Sequence, residues 1–321
     1  MVRKPVTTGV VAPVTVPSVK DHKSHPQAPE DSSMKKGLFQ EGNTQPPTET
    51  SILPLFSLEH KTAVVSGSDR GIGLAVAQAL AEAGANVAIW YHSNEKAHER
   101  AKEISENYGV KSKAYKVDVT SFSNTQKVLN ESINDLGGRL DIFVANAGIP
   151  WTQGRMIDGE LSHYHRVVAT DLDSVFFSAK AAGEVFRRQY ETGLDAMGGK
   201  LEHYRYGSFV ATASMSGHIA NVPQLQSAYN AAKAGVIHLC RSLAVEWVKF
   251  ARVNSVSPGY VATEISDFVP PETKAIWREK IPMGRECEVH ELKGAYLYLA
   301  SDASSYTTGT DIGVDGGYTI V

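Results

Sequence analysis

The chain reads as α/β: a single-domain, doubly wound parallel sheet with helices on both faces. Three observations predict it. Short apolar runs bounded by turn residues, such as Thr62–Ser66, have the continuous hydrophobicity of strands buried on both faces. Helical patterns follow these runs in regular alternation, the arrangement that builds a parallel sheet. A glycine-rich turn, Gly67-Ser68-Asp69-Arg70-Gly71-Ile72-Gly73, joins the first strand to the first helix. That turn in a strand–helix–strand unit marks a nucleotide-binding fold of the Rossmann type.

The elements follow in order. After the glycine turn, residues 74–83 form an apolar helix that Gly84 stops. Residues 86–90 make the second strand, 98–108 a helix and 113–117 the third strand. A helix over 128–136 leads to a fourth strand at 140–144. A long helix is expected over 167–188, a fifth strand at 208–213 and a second long helix at 227–250. A sixth strand at 252–256 stops at Ser257-Pro258-Gly259, residues 292–299 are helical, and 311–317 end the sheet. Two stretches resist the pattern. Residues 189–206, with Gly198-Gly199, are longer than a simple helix–strand link and are read as a surface loop or an edge of the site. Residues 263–283 are expected to form a lid, since loops of that length in compact domains are often functional.

The first 50 residues differ in kind. Prolines at 5, 13, 17, 26, 29, 46 and 47 oppose both helix and sheet. They are expected to be a disordered tail, with at most a short ordered piece around Gly37-Leu38-Phe39, before a domain of residues 51–321. A mitochondrial presequence is the rival reading. It lacks an arginine series and an amphipathic pattern here, and Asp21, Glu30 and Asp31 are acidic, so a cytoplasmic location is preferred.

Composition narrows the class. The chain has 321 residues, 42% hydrophobic and 21% charged, as expected for a soluble globular protein. A net charge of −3 gives no electrostatic reason to expect nucleic acid. No apolar run is long enough for a membrane span. Two cysteines, Cys240 and Cys287, make neither a disulfide framework nor a zinc site and read as thiols in a reducing compartment. No metal is expected.

The glycine turn states what it is built for. Its glycines let the backbone approach a pyrophosphate, and the helix start offers amide donors. The end of the second strand then bears on cofactor choice. NAD-binding units usually carry an acidic residue there, which bonds the ribose 2′-hydroxyl. Here Trp90-Tyr91-His92-Ser93-Asn94 has no carboxylate before Glu95. Arg70 can meet a 2′-phosphate bidentately, with Ser93 and Asn94 as further donors, so NADP(H) is expected over NAD(H). Asp118 after the third strand suits either a bond to an adenine amine or a helix cap shared with Thr120 and Ser121. Small residues at Asn146-Ala147-Gly148 leave room for a cofactor at the fourth strand's carboxyl end.

The reacting groups lie further on. Tyr229 and Lys233 stand four apart, on one face of a helix. An ammonium beside a phenol favours the phenolate, so Tyr229 is expected to have a lowered pKa and to exchange protons near neutrality. Ser214 and Ser216, delivered by the fifth strand, can hold a substrate oxygen against that phenol.

From about Leu55 onward the chain resembles the short-chain dehydrogenase/reductase family. The resemblance rests on Ser66 through Gly73, Asp118, Asn146-Ala147-Gly148, Ser216, Tyr229 with Lys233, and Pro258-Gly259; Tyr229 follows Ser216 by 13 residues, the usual family separation. Within the family it is similar to fungal NADP-dependent mannitol 2-dehydrogenases, sorbose reductases and L-xylulose reductases, through residues 212–219, 250–254, 257–260, 263–270, 281–285 and 298–309.

The resemblance implies hydride transfer between NADP(H) and a carbonyl carbon, with Tyr229 as acid/base, Lys233 tuning it and holding the nicotinamide ribose, and Ser216 polarising the carbonyl. It adds Gly67, Asp69, Ile72, Tyr91, Val119, Ser214, Val261 and Thr263 to the cofactor contacts. The family often has an asparagine where this chain has Asp171, which is retained as a catalytic candidate. Substrate contacts are expected from Trp151, Ser216, His218 and Tyr260, with Gln224 and residues 261–277 as further candidates. The substrate implied is a ketose of the fructose, sorbose or xylulose type or its sugar alcohol. A non-sugar carbonyl, as in a secondary metabolite, is the alternative. A homotetramer or homodimer is implied by the resemblance alone.

Overall fold

Seven parallel strands order as β3-β2-β1-β4-β5-β6-β7 in the computed structural model, which describes residue 39, residues 42–266 and residues 269–321. The strands are β1 Thr62–Ser66, β2 Asn86–Tyr91, β3 Ser112–Lys116, β4 Ile142–Ala145, β5 Gly207–Thr212, β6 Ala251–Pro258 and β7 Asp311–Val314. The order reverses between β1 and β4, which opens a crevice at the strands' carboxyl ends. Most of the expected tail, including Gly37 and Leu38, lies outside the described residues. The unit that holds the sheet runs from Glu41 to Val321, starting earlier than the expected residue 51. Within it the Pro46 carbonyl accepts a hydrogen bond from Arg205 at 3.4 Å.

Helices cover both faces. They are α1 Ile52–Leu55, α2 Gly71–Glu82, α3 Ala97–Tyr108, α4 Phe122–Leu136, α5 Leu161–Val168, α6 Ser174–Thr192, α7 Ser227–Glu246, α8 Pro271–Lys280 and α9 Lys293–Ala300. Successive strand residues point to opposite faces. Val64, Trp90, Phe143 and Phe209 therefore join a core under α4, α6 and α7. Their neighbours Val65, Ile89, Val144 and Val210 join a second core under α2, α3 and α9. Trp90 meets Phe143 edge-on at 5.3 Å, and its indole donates to Ser132 on α4 at 2.9 Å.

Helix ends depart from the expected bounds for local reasons. α4 begins at Phe122 because the Ser121 side chain accepts from the Asn124 amide and caps it. The long helix expected over 167–188 is instead α5 and α6 joined by one π turn, Ala169–Asp173. A π turn inserts a residue into the helical ladder and re-aims the side chains it carries, often at functional sites. Here it carries Asp171.

Residues 189–206 are a surface feature. Beyond α6 the chain forms a short antiparallel bridge, Leu194 to Lys200, whose turn is tied by Asp195 accepting the Met197 and Gly199 amides at 2.8 Å each. The Ala196 amide donates to Gly138 O at 2.7 Å, and Arg139 donates to Glu202 O at 2.9 Å. These contacts place it beside the turn that enters β4, at the amino end of the sheet and away from the crevice. The segment therefore does not edge the site.

Candidate active site

A cleft of about 790 Å³ opens at the carboxyl ends of the central strands. It is lined by the glycine turn, the ends of β2, β4, β5 and β6, the π turn, the start of α7 and the segment ahead of and within α8.

The glycine turn fits a phosphate-bearing cofactor. Gly67 and Gly71 hold φ of +60° and +55°, the left-handed region that favours glycine. A Cβ on Gly73 would lie 2.2 Å from Gly67 O and 2.5 Å from Asn146 Nδ2, so no side chain fits there. Arg70 occupies the N-cap of α2 without capping it, which leaves first-turn amides available to an anion. Asn146 braces the turn: its Nδ2 donates to Ser66 O at 3.1 Å and Gly67 O at 3.0 Å. The Ser66 hydroxyl in turn accepts the Asn146 and Ala147 amides at 2.9 and 3.1 Å.

At the mouth, Arg70 pairs with Glu264 at 3.1 Å and Ser93 is exposed. Asn94 is less available than expected, since its Nδ2 already donates to Asp69 at 2.9 Å. Tyr91 donates to Glu95 at 2.9 Å; burial and that carboxylate both hold its pKa up. Asp118 lines the cleft and also accepts from the Thr120 amide at 3.0 Å and hydroxyl at 2.6 Å, which tightens the turn ahead of α4, while Ser121 rather than Asp118 caps that helix. Ile72, Val119, Gly148, Ser214, Pro258, Gly259, Val261 and Thr263 all face the same cleft.

Ser216, Tyr229 and Lys233 come together on its inner wall. Ser216 is set by a turn in which the Ser214 hydroxyl accepts the Ser216 amide at 3.1 Å. Gly217 allows that turn to lie on α7, because a Cβ there would stand 2.7 Å from Ile237 and 3.0 Å from the Ala234 nitrogen. Lys233 is buried; its Nζ donates to Thr212 O at 3.0 Å, pairs with Asp171 Oδ1 at 3.2 Å and lies 5.5 Å from the Tyr229 ring centre. Asp171 Oδ2 accepts the Ile149 amide at 3.1 Å. A Cβ on Gly148 would come within 2.6 Å of Asp171 Oδ1, so glycine is required opposite the pair.

The electrostatics correct one expectation. Tyr229 does not have a lowered pKa: burial raises it, Lys233 pulls it down and the Asp171 charge pushes it up again, for a net rise. Burial works against the Lys233 ammonium, but Asp171 and Tyr229 outweigh it and its pKa is raised, so it stays charged. Burial raises the Asp171 pKa, opposed by Lys233 and the Ile149 amide.

Two expected substrate residues do not line the cleft. His218 turns away to bond Asp311 at 2.7 Å and lies 3.4 Å from the Ser257 hydroxyl. Trp151 is buried, donating to Gly154 O at 2.9 Å and stacking on His163 at 4.9 Å, where it packs with Val167 and Ala228. His218 is fixed by Asp311, distant in sequence, whereas Trp151 is held by the nearby Gly154 and His163. Tyr260 and Gln224 do line the cleft. Among the described residues, the expected lid holds the 3₁₀ turn Glu264–Ser266 and α8, whose Trp277 stacks on Tyr260 with centroids 3.9 Å apart. Sequence reasoning missed Gln226, which reaches Ser216; its position between Ser216 and Tyr229, three residues before the tyrosine, was the available signal. Arg166 and Thr170, also lining the cleft, carried no such signal. Among the described residues no cluster of His, Cys, Asp or Glu could hold a metal. Both cysteines are free; burial first of all pushes Cys240 up to about 12 and Cys287 to about 11.

A doubly wound sheet whose switch-point cleft joins a phosphate-accepting glycine turn to a serine, a tyrosine and a lysine defines a nucleotide-dependent oxidoreductase. The chain belongs to the short-chain dehydrogenase/reductase family. The family model described as enoyl-(acyl carrier protein) reductase matches residues 67–319. The chain is 60% identical to an L-xylulose reductase of Hypocrea jecorina over 287 residues, which cover 89% of this chain and 100% of that one. It is 53% identical to a probable NADP-dependent mannitol dehydrogenase of Yarrowia lipolytica, covering 85% of this chain and 92% of that one. Among solved structures, an NADPH-dependent 3-quinuclidinone reductase from Rhodotorula rubra superposes with a TM-score of 0.80 at 38% identity, covering 88% of this chain and all of that one.

Proposed function

We propose that the protein is an NADP(H)-dependent reductase that interconverts a ketose of the fructose, sorbose or xylulose type and its sugar alcohol. The observation that carries the reading is the convergence of Ser216, Tyr229 and Lys233 on one wall of a cleft whose other end is the glycine turn. The names of its relatives, L-xylulose reductase, mannitol dehydrogenase and sorbose reductase, support the substrate class and NADP(H).

The chain's residues divide the work. The α2 amides bind pyrophosphate, and Arg70 with Ser93 meets the 2′-phosphate, so Arg70 exchanges Glu264 for a phosphate partner. NADPH, when bound, supplies the hydride to the carbonyl carbon. Ser216 donates a hydrogen bond to the carbonyl oxygen. Tyr229 gives its proton to that oxygen as negative charge develops, and its raised pKa keeps the phenol protonated for the purpose. Lys233 stays charged and stabilises the phenolate left behind, while Asp171 holds Lys233 in place. Asp171 thus acts by direct contact where the family often uses an asparagine.

A cytoplasmic location and a homodimer or homotetramer go with this reading. Exposed Leu161, Tyr164 and Phe176 on α5 and α6 support self-association. Among the described residues no helix is long and apolar enough to cross a membrane. The reduction of a non-sugar carbonyl is the second reading, favoured by the stacked Tyr260 and Trp277 in the cleft wall.

The test is NADPH oxidation at 340 nm with L-xylulose, D-fructose and L-sorbose, with NADH in parallel and Tyr229→Phe as control. Turnover of a ketose with NADPH is expected, with a loss of about 10²-fold or more in the control. Tight NADPH binding without turnover of any sugar would shift the reading to the second class.

A further inference from the structure

We propose that Gln226 is a positioning residue: its side-chain amide holds the Ser216 oxygen as an acceptor, so that the serine's single proton is aimed at the substrate carbonyl. The inference rests on the reading of Ser216 given above and adds the group that orients it.

Gln226 immediately precedes α7 and is 7% exposed. Its Nε2 donates to Ser216 Oγ at 2.9 Å and to Asn221 Oδ1 at 2.9 Å, which uses both amide protons. Asn221, 4% exposed, reaches on to the Tyr260 hydroxyl at 3.5 Å, and Tyr260 stacks on Trp277. A polar chain thus runs inside the wall from Ser216 to the aromatic pair. A serine hydroxyl has one proton and two acceptor sites. With Nε2 on the oxygen, the proton is free to point into the cleft. The opposite polarity, a glutamine oxygen facing Ser216, would capture that proton and leave the carbonyl without a donor. The polarity is set by pairing: both Gln226 amide protons and the Asn221 oxygen are taken up inside the wall, so Nε2 rather than the glutamine oxygen faces Ser216.

The geometry separates a directional role from simple packing through two substitutions. Gln226→Met keeps the volume and deletes both hydrogen bonds. Gln226→Glu keeps the shape but, when ionised, offers only acceptors and takes the Ser216 proton. Once protonated, the same carboxyl can donate to Ser216 again. The expected result, with NADPH and whichever ketose turns over, is that Gln226→Glu loses more kcat than Gln226→Met near pH 8, about 10²-fold against about tenfold. Activity of the Glu variant recovers as pH falls, while the Met variant follows the parent profile. The charged and titratable groups around this end of the cleft, Arg166, Asp171, Tyr229, Lys233 and Tyr260, are common to all three proteins, so the difference between profiles belongs to residue 226. NADPH binding and melting temperature, measured alongside, report whether each variant is folded. Equal losses in the two variants with parallel pH profiles, or no loss in either, would overturn the inference. Ser216→Ala distinguishes the two levels: full activity there defeats the reading of Ser216 itself, whereas a large loss there with an unaffected Gln226→Glu defeats only the proposal for Gln226.

Discussion

Tyr229, partly buried on the cleft wall, and the buried Lys233 and Asp171 form a set whose charges are interdependent. The simple expectation, an ammonium lowering a phenol's pKa, considers one pair; Asp171 works against that ammonium, and burial, the largest influence, decides the direction. The sign has a kinetic consequence. Reduction needs the phenol protonated, which a raised pKa ensures at neutral pH, so its rate should change little as pH falls below 8. Oxidation of the sugar alcohol needs the phenolate, so its rate should rise with pH through the alkaline range. Asp171→Asn removes a charge that holds the pKa values of Tyr229 and Lys233 up, so the alkaline limb of oxidation should move to lower pH. Initial rates in both directions between pH 6 and 10 check both statements; an unmoved limb in Asp171→Asn would mean that Asp171 does not tune the tyrosine. The serine, tyrosine and lysine were legible because chemistry restricts what can fill those positions. Trp151 and His218 were not, because an indole or an imidazole serves equally in packing or binding, and only the partners Gly154, His163 and Asp311 decide between them.

At the scale of elements, strands and helices followed from apolar period and glycine punctuation, while their ends were set by side-chain caps and by neighbours. The π turn at Ala169–Asp173 had no signature in the periodicity, since the stretch is apolar and polar in the rhythm of an ordinary helix. The link over residues 189–206 was ambiguous for a related reason: its polar, glycine-bearing residues suit any surface, and its place depends on Gly138 and Arg139. The α6 end of that link has a structural anchor. Gln189 is fully buried, accepting the Leu140 amide at 2.8 Å and donating to the Leu140 carbonyl at 2.7 Å. Gln189→Met should leave both backbone groups unpaired and cost about 2–6 kcal/mol of stability, taking about 1–3 kcal/mol for each of the two stranded groups. Denaturant unfolding measures it, and KM for NADPH should stay unchanged because the contact lies at the sheet's amino end. A loss below about 0.5 kcal/mol would mean that water or a shifted neighbour replaces the amide.

For the whole molecule, one sheet serves two purposes: it buries two separate cores and it brings residues from Gly67 to Trp277 around one cleft. The apolar side chains left on α5 and α6 bear on assembly. Phe176 is 50% exposed and Leu161 74% exposed, a cost in water that a subunit contact would remove. Analytical ultracentrifugation should find a dimer or tetramer, and Phe176→Glu should shift it toward the monomer by placing an unpaired charge in the contact. A monomer in the parent protein, or an unchanged distribution in the variant, would rule out self-association through this face.

The sequence by itself determined the alternation of strand and helix, the glycine turn, the serine–tyrosine–lysine set and the absence of an acidic residue at the end of β2. Each depends on local dihedral freedom, on hydrophobic period or on residue chemistry that survives without knowledge of neighbours. Tertiary structure alone decided which side chains face the cleft, the pairing of Asp171 with Lys233, the direction of the Tyr229 pKa and the bond from Gln226 to Ser216. Those depend on burial and on distances between residues far apart or differently aimed along the chain, and fields and hydrogen bonds act through space rather than along the sequence.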